Sequence, residues 1–284
     1  MTALESPLYR FGGLLNSLVY GLRALAASYL LLGLLRFAYT YIRPFSLSRY
    51  LHWPDNSWAL VTGVSDGIVR ALAQELCSRG FNVILRGRSL SKSGAPKKKL
   101  NRDFPSRSVR IIVLNASTAS PPQIDEALGS VADLHITVLI NNVGGTADVT
   151  SPPFRQFTAL TPLEIKGLMH TNNIFAIHLT RALLPILRQN SPALIMNIGS
   201  FSAIGMAYLS IYSATKGFLA SMTSAIATEF KAEGLDIEVL HMKVAAVRSA
   251  GNKTDVSFFV PESRVFAKSC LDRVGCGSSE VVPY

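Results

Sequence analysis

From residue 58 onward, short runs of Val, Ile and Leu alternate with longer stretches in which apolar positions recur every three or four residues. The runs at 58–62 (WALVT), 81–86 (FNVILR), 109–114 (VRIIVL), 136–141 (ITVLIN), 193–198 (ALIMNI) and 236–242 (DIEVLHM) are expected strands. Helical spacing is expected near 67–79, 121–132, 161–189 and 210–233. Unbroken apolar strands separated by helices mean a parallel sheet covered on both faces. The expected fold is therefore α/β, a doubly wound, Rossmann-type parallel sheet flanked by helices. Ligands of such sheets bind outside the carboxyl ends of the strands, where the strand order reverses.

The first residues follow another pattern. Residues 14–35, LLNSLVYGLRALAASYLLLGLL, are apolar apart from Asn16 and Arg23. A bilayer core needs roughly 20 such residues, so a hydrophobic membrane helix is expected within an N-terminal segment of residues 1–42. No small-residue cleavage site follows it, which argues against a signal peptide. Arg36, Arg43 and Arg49 come after it, with no acid before Asp55. The positive-inside bias then puts the C-terminal side in the cytosol. Residues 43–57, with two prolines, read as a linker, and residues 58–284 as the catalytic domain.

The chain has 284 residues, 49% of them hydrophobic, and a net charge of +10. That suits one large α/β domain lying beside anionic lipid. No helix carries a basic stripe interleaved with aromatics, so nucleic acid is not an expected partner. Cys77, Cys270 and Cys276 form no metal-ligand spacing and no even disulfide set, which favours a reducing compartment and no bound metal.

Candidate chemistry lies at the expected strand ends. Thr62-Gly63-Val64-Ser65-Asp66-Gly67-Ile68 joins a strand to a helix. Gly63 allows a tight turn, and Gly67 opens a helix whose N-terminus attracts a pyrophosphate. Val69 stands where a third glycine would serve helix–strand packing. It is expected to push the helix outward and weaken cofactor binding. Between Glu75 and Asp103 there is no acid to grip ribose hydroxyls, whereas Arg86, Arg88, Lys92 and Lys97–Lys99 follow the second strand. A 2′-phosphate suits this surface, so NADPH is the expected cofactor. Arg88 is the chief candidate because a guanidinium grips phosphate through two parallel bonds. The lysine run reads as a solvated face.

Tyr212 and Lys216 are four residues apart, which puts phenol and ammonium on one helix face. The ammonium favours the phenolate form and suits Tyr212 to proton exchange near neutrality. Ser200 follows the fifth strand and could hold a carbonyl oxygen. Asn142 and Gly144 end the fourth strand beside the cofactor, and Asn172 lies in the helix that follows. His170, His178 and His241 share no ligand spacing and read as structural. Phe154 and Phe157 are expected to pack under a loop.

These motifs, in this order over residues 58–275, resemble the short-chain dehydrogenase/reductase family. Closer still is the branch of very-long-chain 3-oxoacyl-CoA reductases and 17β-hydroxysteroid dehydrogenases. Its marks are the hydrophobic N-terminal segment, Asn141-Asn142-Val143-Gly144, Gly199-Ser200-Phe201, Ile211 to Lys216 and Pro261 to Gly275. The resemblance implies a catalytic tetrad of Asn172, Ser200, Tyr212 and Lys216, with Asn172 holding a water. It implies adenine contact by Asn115, with Val247 and Ser249 facing the cofactor after the sixth strand. It also implies an NADPH-dependent reductase of a lipid-like ketone at the endoplasmic reticulum, and a homodimer through helices 161–189 and 210–233. A steroid or secondary-metabolite ketone is the nearby alternative. A non-catalytic NADPH-binding partner subunit is the alternative from another class. The chain ends at Tyr284, ahead of the branch's usual C-terminal section, so an incomplete substrate pocket is expected.

Overall fold

The computed structural model describes residues 7–43, 46–52, 56–63, 67–146, 149–249 and 252–284. The chain divides into two units, Met1–Pro44 and Phe45–Tyr284. In the first, α1 (Pro7–Ile42) is one helix. Its stretch Gly12–Ile42 is long and apolar enough to cross a membrane, and none of it is buried. Several of its polar groups find partners on the helix. Ser17 and Thr40 donate to the carbonyls of Gly13 and Arg36, and the Arg23 guanidinium lies 5.9 Å from the Tyr20 ring centroid.

The second unit is a seven-stranded sheet, all parallel, in the order β3-β2-β1-β4-β5-β6-β7. Its strands are β1 (Ser57–Thr62), β2 (Asn82–Gly87), β3 (Val109–Val113), β4 (His135–Asn141), β5 (Ala193–Ile198), β6 (Ile237–Met242) and β7 (Glu280–Val281). Strands β1, β2 and β5 are buried throughout, as their unbroken apolar runs require. Helices α2 (Gly67–Ser78), α3 (Leu90–Asp103) and α8 (Ser263–Asp272) cover one face. Helices α4 (Pro121–Gly129), α6 (Phe175–Gln189) and α7 (Ser210–Ala232) cover the other. The order reverses between β1 and β4, which puts the switch point of the doubly wound sheet there.

Three local features depart from expectation. Residues 47–50, within the expected linker, form a 3-10 helix that buries Leu47 and Tyr50. The Tyr50 hydroxyl donates to Glu238, and Thr137 donates to the Tyr50 carbonyl. This segment is thus fastened to the amino-terminal part of the sheet. The helix expected over 161–189 is interrupted: α5 (Pro162–Met169) passes through a π-helical turn, His170–Ile174, into α6. Phe154 and Phe157 are exposed rather than packed under a loop.

Candidate active site

The site begins with Thr62. Its hydroxyl donates to the Ile140 carbonyl and accepts from the backbone N–H groups of Asn142 and Val143. The end of β1 is thereby tied to the loop leaving β4, across the switch point. Gly63 follows with φ +94°, a conformation that favours glycine. A Cβ there would lie 3.3 Å from Val143 and 3.4 Å from Val69. Val69, in the first turn of α2, is 1% exposed and packs in the core. Its methyl is therefore accommodated beside Gly63 without collision. Gly67 opens α2 and Ile68 is half-buried behind it. Ser65 and Asp66 lie outside the described residues.

Beyond β2, Arg86 and Arg88 part company. Arg86 is 2% exposed, donates to the Leu114 carbonyl, and sets its guanidinium 4.7 Å from the Phe175 ring centroid. Burial, helped by Arg88, lowers its pKa to about 10. Arg86 is thus a core residue, and its place in the basic phosphate surface is corrected. Arg88 is exposed. Asn115 is exposed too, its side-chain oxygen accepting from the Ser117 backbone and hydroxyl.

Lys216 gathers the catalytic side. It is 4% exposed, and its ammonium donates to the Ile198 carbonyl at 2.8 Å, two residues before Ser200. The same nitrogen would lie 3.4 Å from a Cβ on Gly144. One lysine on α7 therefore meets the ends of both β4 and β5. Its ammonium lies 5.8 Å from the ring centroid of half-buried Tyr212, one helical turn earlier. Ser200 caps a short 3-10 helix, Phe201–Ile204, and accepts from the Ser202 backbone and hydroxyl. The Ser213 hydroxyl accepts from the Met206 backbone, tying the loop after that helix to α7.

Asn172 is placed by the π-turn, a distortion frequent at functional sites. It is 1% exposed; its side chain accepts from the Gly145 N–H at 2.7 Å and donates to the Gly145 carbonyl at 3.3 Å. Both ends of the amide thus clamp the loop after β4. A Cβ on Gly144 would lie 2.6 Å from the Asn172 oxygen, which explains glycine there. Asn173, absent from the expected site, donates to the Thr215 carbonyl and locks the π-turn to α7. After β6, Val247 is buried, and its carbonyl accepts from the Asn252 side chain. Ser249 exchanges bonds with the Asn252 backbone.

The structure thus brings Gly144, Asn172, Ile198 and Lys216 into one cluster at the carboxyl ends of β4 and β5, with Tyr212 and Ser200 adjoining it. Gly63 and Asn142 stand beside that cluster through the Thr62 bonds. Thr62 and Asn173 escaped sequence reasoning. For Thr62 a signal existed, since it begins the glycine-rich turn; for Asn173 none did.

Residues 57–257 match the family described as short chain dehydrogenase. A very-long-chain 3-oxoacyl-CoA reductase of Podospora anserina is 29% identical, covering 99% of this chain and 82% of its own. A very-long-chain 3-oxoacyl-CoA reductase of Caenorhabditis elegans is 33% identical, covering 80% of this chain and 71% of its own. Among solved structures, a metagenomic short-chain oxidoreductase in complex with NADP superposes with a TM-score of 0.63 at 25% identity. That match covers 80% of this chain and 96% of the other.

Proposed function

The chain belongs to the short-chain dehydrogenase family, and from that premise we propose that it is a membrane-anchored, NADPH-dependent reductase of a lipid-like ketone, with a 3-oxoacyl thioester the favoured substrate. One observation carries the reading. A buried ammonium, one turn from a tyrosine, is seated between the glycine loop of β4 and the strand end leading to Ser200.

The residues present fit the cofactor. Gly63 keeps a left-handed turn free of any side chain, α2 begins just beyond it, and Arg88 is exposed after β2, in a stretch of sequence, 76–102, that holds no acid. Gly63, Ser65, Asp66, Gly67 and Ile68 would hold the pyrophosphate, Arg88 the 2′-phosphate and Asn115 the adenine. Asn142, Gly144, Val247 and Ser249 would line the nicotinamide end, with Tyr212 and Lys216 at the ribose. When bound, NADPH supplies the hydride that reduces the ketone carbon. Ser200 donates a hydrogen bond to the ketone oxygen and orients it. Tyr212 delivers the proton to that oxygen, so the product is a secondary alcohol. Lys216 remains charged beside the phenol and stabilises the phenolate left behind. Asn172 keeps the loop 142–145 in register with Lys216.

The relatives named as very-long-chain 3-oxoacyl-CoA reductases support the thioester, and the neighbour solved with NADP supports the cofactor. The apolar α1 supports a membrane anchor, and the relatives' chemistry supports the endoplasmic reticulum, with the catalytic domain in the cytosol. A homodimer would use the largely apolar hollow of about 470 Å³ lined by Pro162, Ile165, Lys166, Met169, His170 and Ile174. The test is a screen of NADPH oxidation by the full chain in detergent micelles against lipid ketones. The expected result is turnover with long 3-oxoacyl thioesters. Tight NADPH binding without turnover of any ketone would favour the non-catalytic partner subunit.

A further inference from the structure

Behind Ser200 lies a side chain that the proposed mechanism does not use. The hydrogen-bond ladder between β5 and β6 runs past Ile198: the Gly199 N–H donates to the Met242 carbonyl and the Phe201 N–H to the Val244 carbonyl, both at 2.8 Å. Ser200 is thus held between two rungs. His241, paired in register with Asn197, occupies the space beneath them. It is 1% exposed. A Cβ on Gly199 would lie 2.0 Å from its Nε2 and 2.4 Å from its Cε1. The imidazole therefore fills the volume that any side chain at 199 would need.

The ring has a fixed polarity. Nδ1 lies 3.1 Å from the Glu280 carboxylate of β7. A carboxylate only accepts, so Nδ1 carries the proton, and in the neutral ring Nε2 presents a bare lone pair. That Nε2 is buried and has no hydrogen-bond partner among the described residues. Three charged groups face the ring: Glu280 from β7, Lys216 from α7 and Lys243 just beyond β6. Burial first, and the two lysines after it, hold the ring in its neutral form, while Glu280 opposes them. A proton on Nε2 would create a buried donor with no acceptor, one residue beyond the carbonyl that seats Lys216, and such a group is costly.

We infer that His241 is a positioning residue of the reductase site, a neutral wedge that sets Gly199–Ser200 and adds no second buried charge beside Lys216 beneath the catalytic strand end. The inference rests on the reductase reading. It adds a link from β7, through Glu280 and His241, to Ser200.

The test compares His241→Ala, which removes the wedge, with His241→Phe, which keeps an aromatic ring that cannot charge. All are assayed as full chain in micelles, with melting curves to establish folding. At neutral pH, His241→Ala is expected to lower kcat roughly ten- to hundredfold, as small misplacements of catalytic groups do, with KM for NADPH nearly unchanged. His241→Phe restores kcat to within about threefold of the wild type, well inside the loss that misplacement causes. The wild type loses activity on the acid side of about pH 6.5, the ordinary histidine range, and the Phe variant does not. Equal loss in the Ala and Phe variants overturns the wedge, and superimposable pH profiles of wild type and Phe variant overturn the requirement for neutrality. If no ketone is turned over by the wild type, the reductase reading is what fails. Ring NMR of histidine-labelled protein then still tests His241: protonation of Nε2 at neutral pH overturns the inference, and a bare Nε2 that shifts on adding NADPH upholds it.

Discussion

Replacing Gly144 by alanine tests the geometry of the site through a single methyl. Its Cβ would stand 2.6 Å from the Asn172 oxygen and 3.4 Å from the Lys216 nitrogen. Asn172 cannot swing aside cheaply, because it is 1% exposed and bonded at both ends to Gly145. Displacing it breaks two hydrogen bonds and leaves a buried amide short of partners, a loss of about 2–4 kcal/mol. Alanine recovers about 0.4–1 kcal/mol by restricting the unfolded chain, which leaves a net loss of roughly 1–3.6 kcal/mol. For a domain of this size that lowers the melting temperature by about 2–14 °C. Movement of Lys216 should reduce kcat/KM for NADPH-dependent reduction by about a hundredfold. The assays are a melting curve and initial rates of NADPH oxidation. In the double variant with Asn172→Ala the collision is gone, so the melting losses should sum to less than the two singles. A Gly144→Ala protein that melts and turns over like the wild type would refute the clamp.

Other outcomes follow from the same geometry. Removing Arg88 should cut the preference for NADPH over NADH by roughly tenfold to a hundredfold, the worth of charge-assisted hydrogen bonds; an unchanged ratio of kcat/KM values would remove Arg88 from the 2′-phosphate site. Burial pushes the Cys77 thiol up to about 12 and raises Cys270 as well, and Cys276 is buried too. Native protein near pH 8 should therefore resist a thiol reagent until it is unfolded, and rapid reaction with the native chain would contradict the packing. Burial holds His241 below its ordinary range despite Glu280, so the unfolded chain binds a proton more readily than the folded one. Stability should fall as pH drops below about 6.5 and level off once the folded ring also titrates. His241→Phe should flatten that window in melting curves.

Much of this architecture is legible along the chain. Strands β1 to β6 fall within a residue or so of their expected limits, because buried parallel strands write themselves as unbroken Val, Ile and Leu; β7, two residues long, is an addition. The four segments read as helices are helical, while α3 and α8 are additions. The α3 segment, LSKSGAPKKKLNRD, contains Pro96 and few apolar residues, so its period is invisible against its composition. The α8 segment buries Phe266, Ala267, Cys270 and Leu271 on one helical stripe, a period that is legible in the sequence. Within the site, Tyr212 and Lys216 are legible because one helical turn joins them. The π-turn at 170–174 carries no comparable sign. Asn173 with Thr215, and His241 with Gly199, are joined only by tertiary packing, and no spacing rule connects residues about 42 positions apart on different elements. Glycines 144 and 199 mark close approaches of backbone to side chain, but the partner in each case becomes visible only in three dimensions.

The most direct measurement is the rate of NADPH oxidation with a long-chain 3-oxoacyl-CoA, by the wild type and by Tyr212→Phe at equal NADPH occupancy. Loss of the phenol as proton donor should slow the variant by about a hundredfold to ten-thousandfold, the usual reach of general acid catalysis. Equal rates in the two proteins would contradict a reductase built on Tyr212 and Lys216.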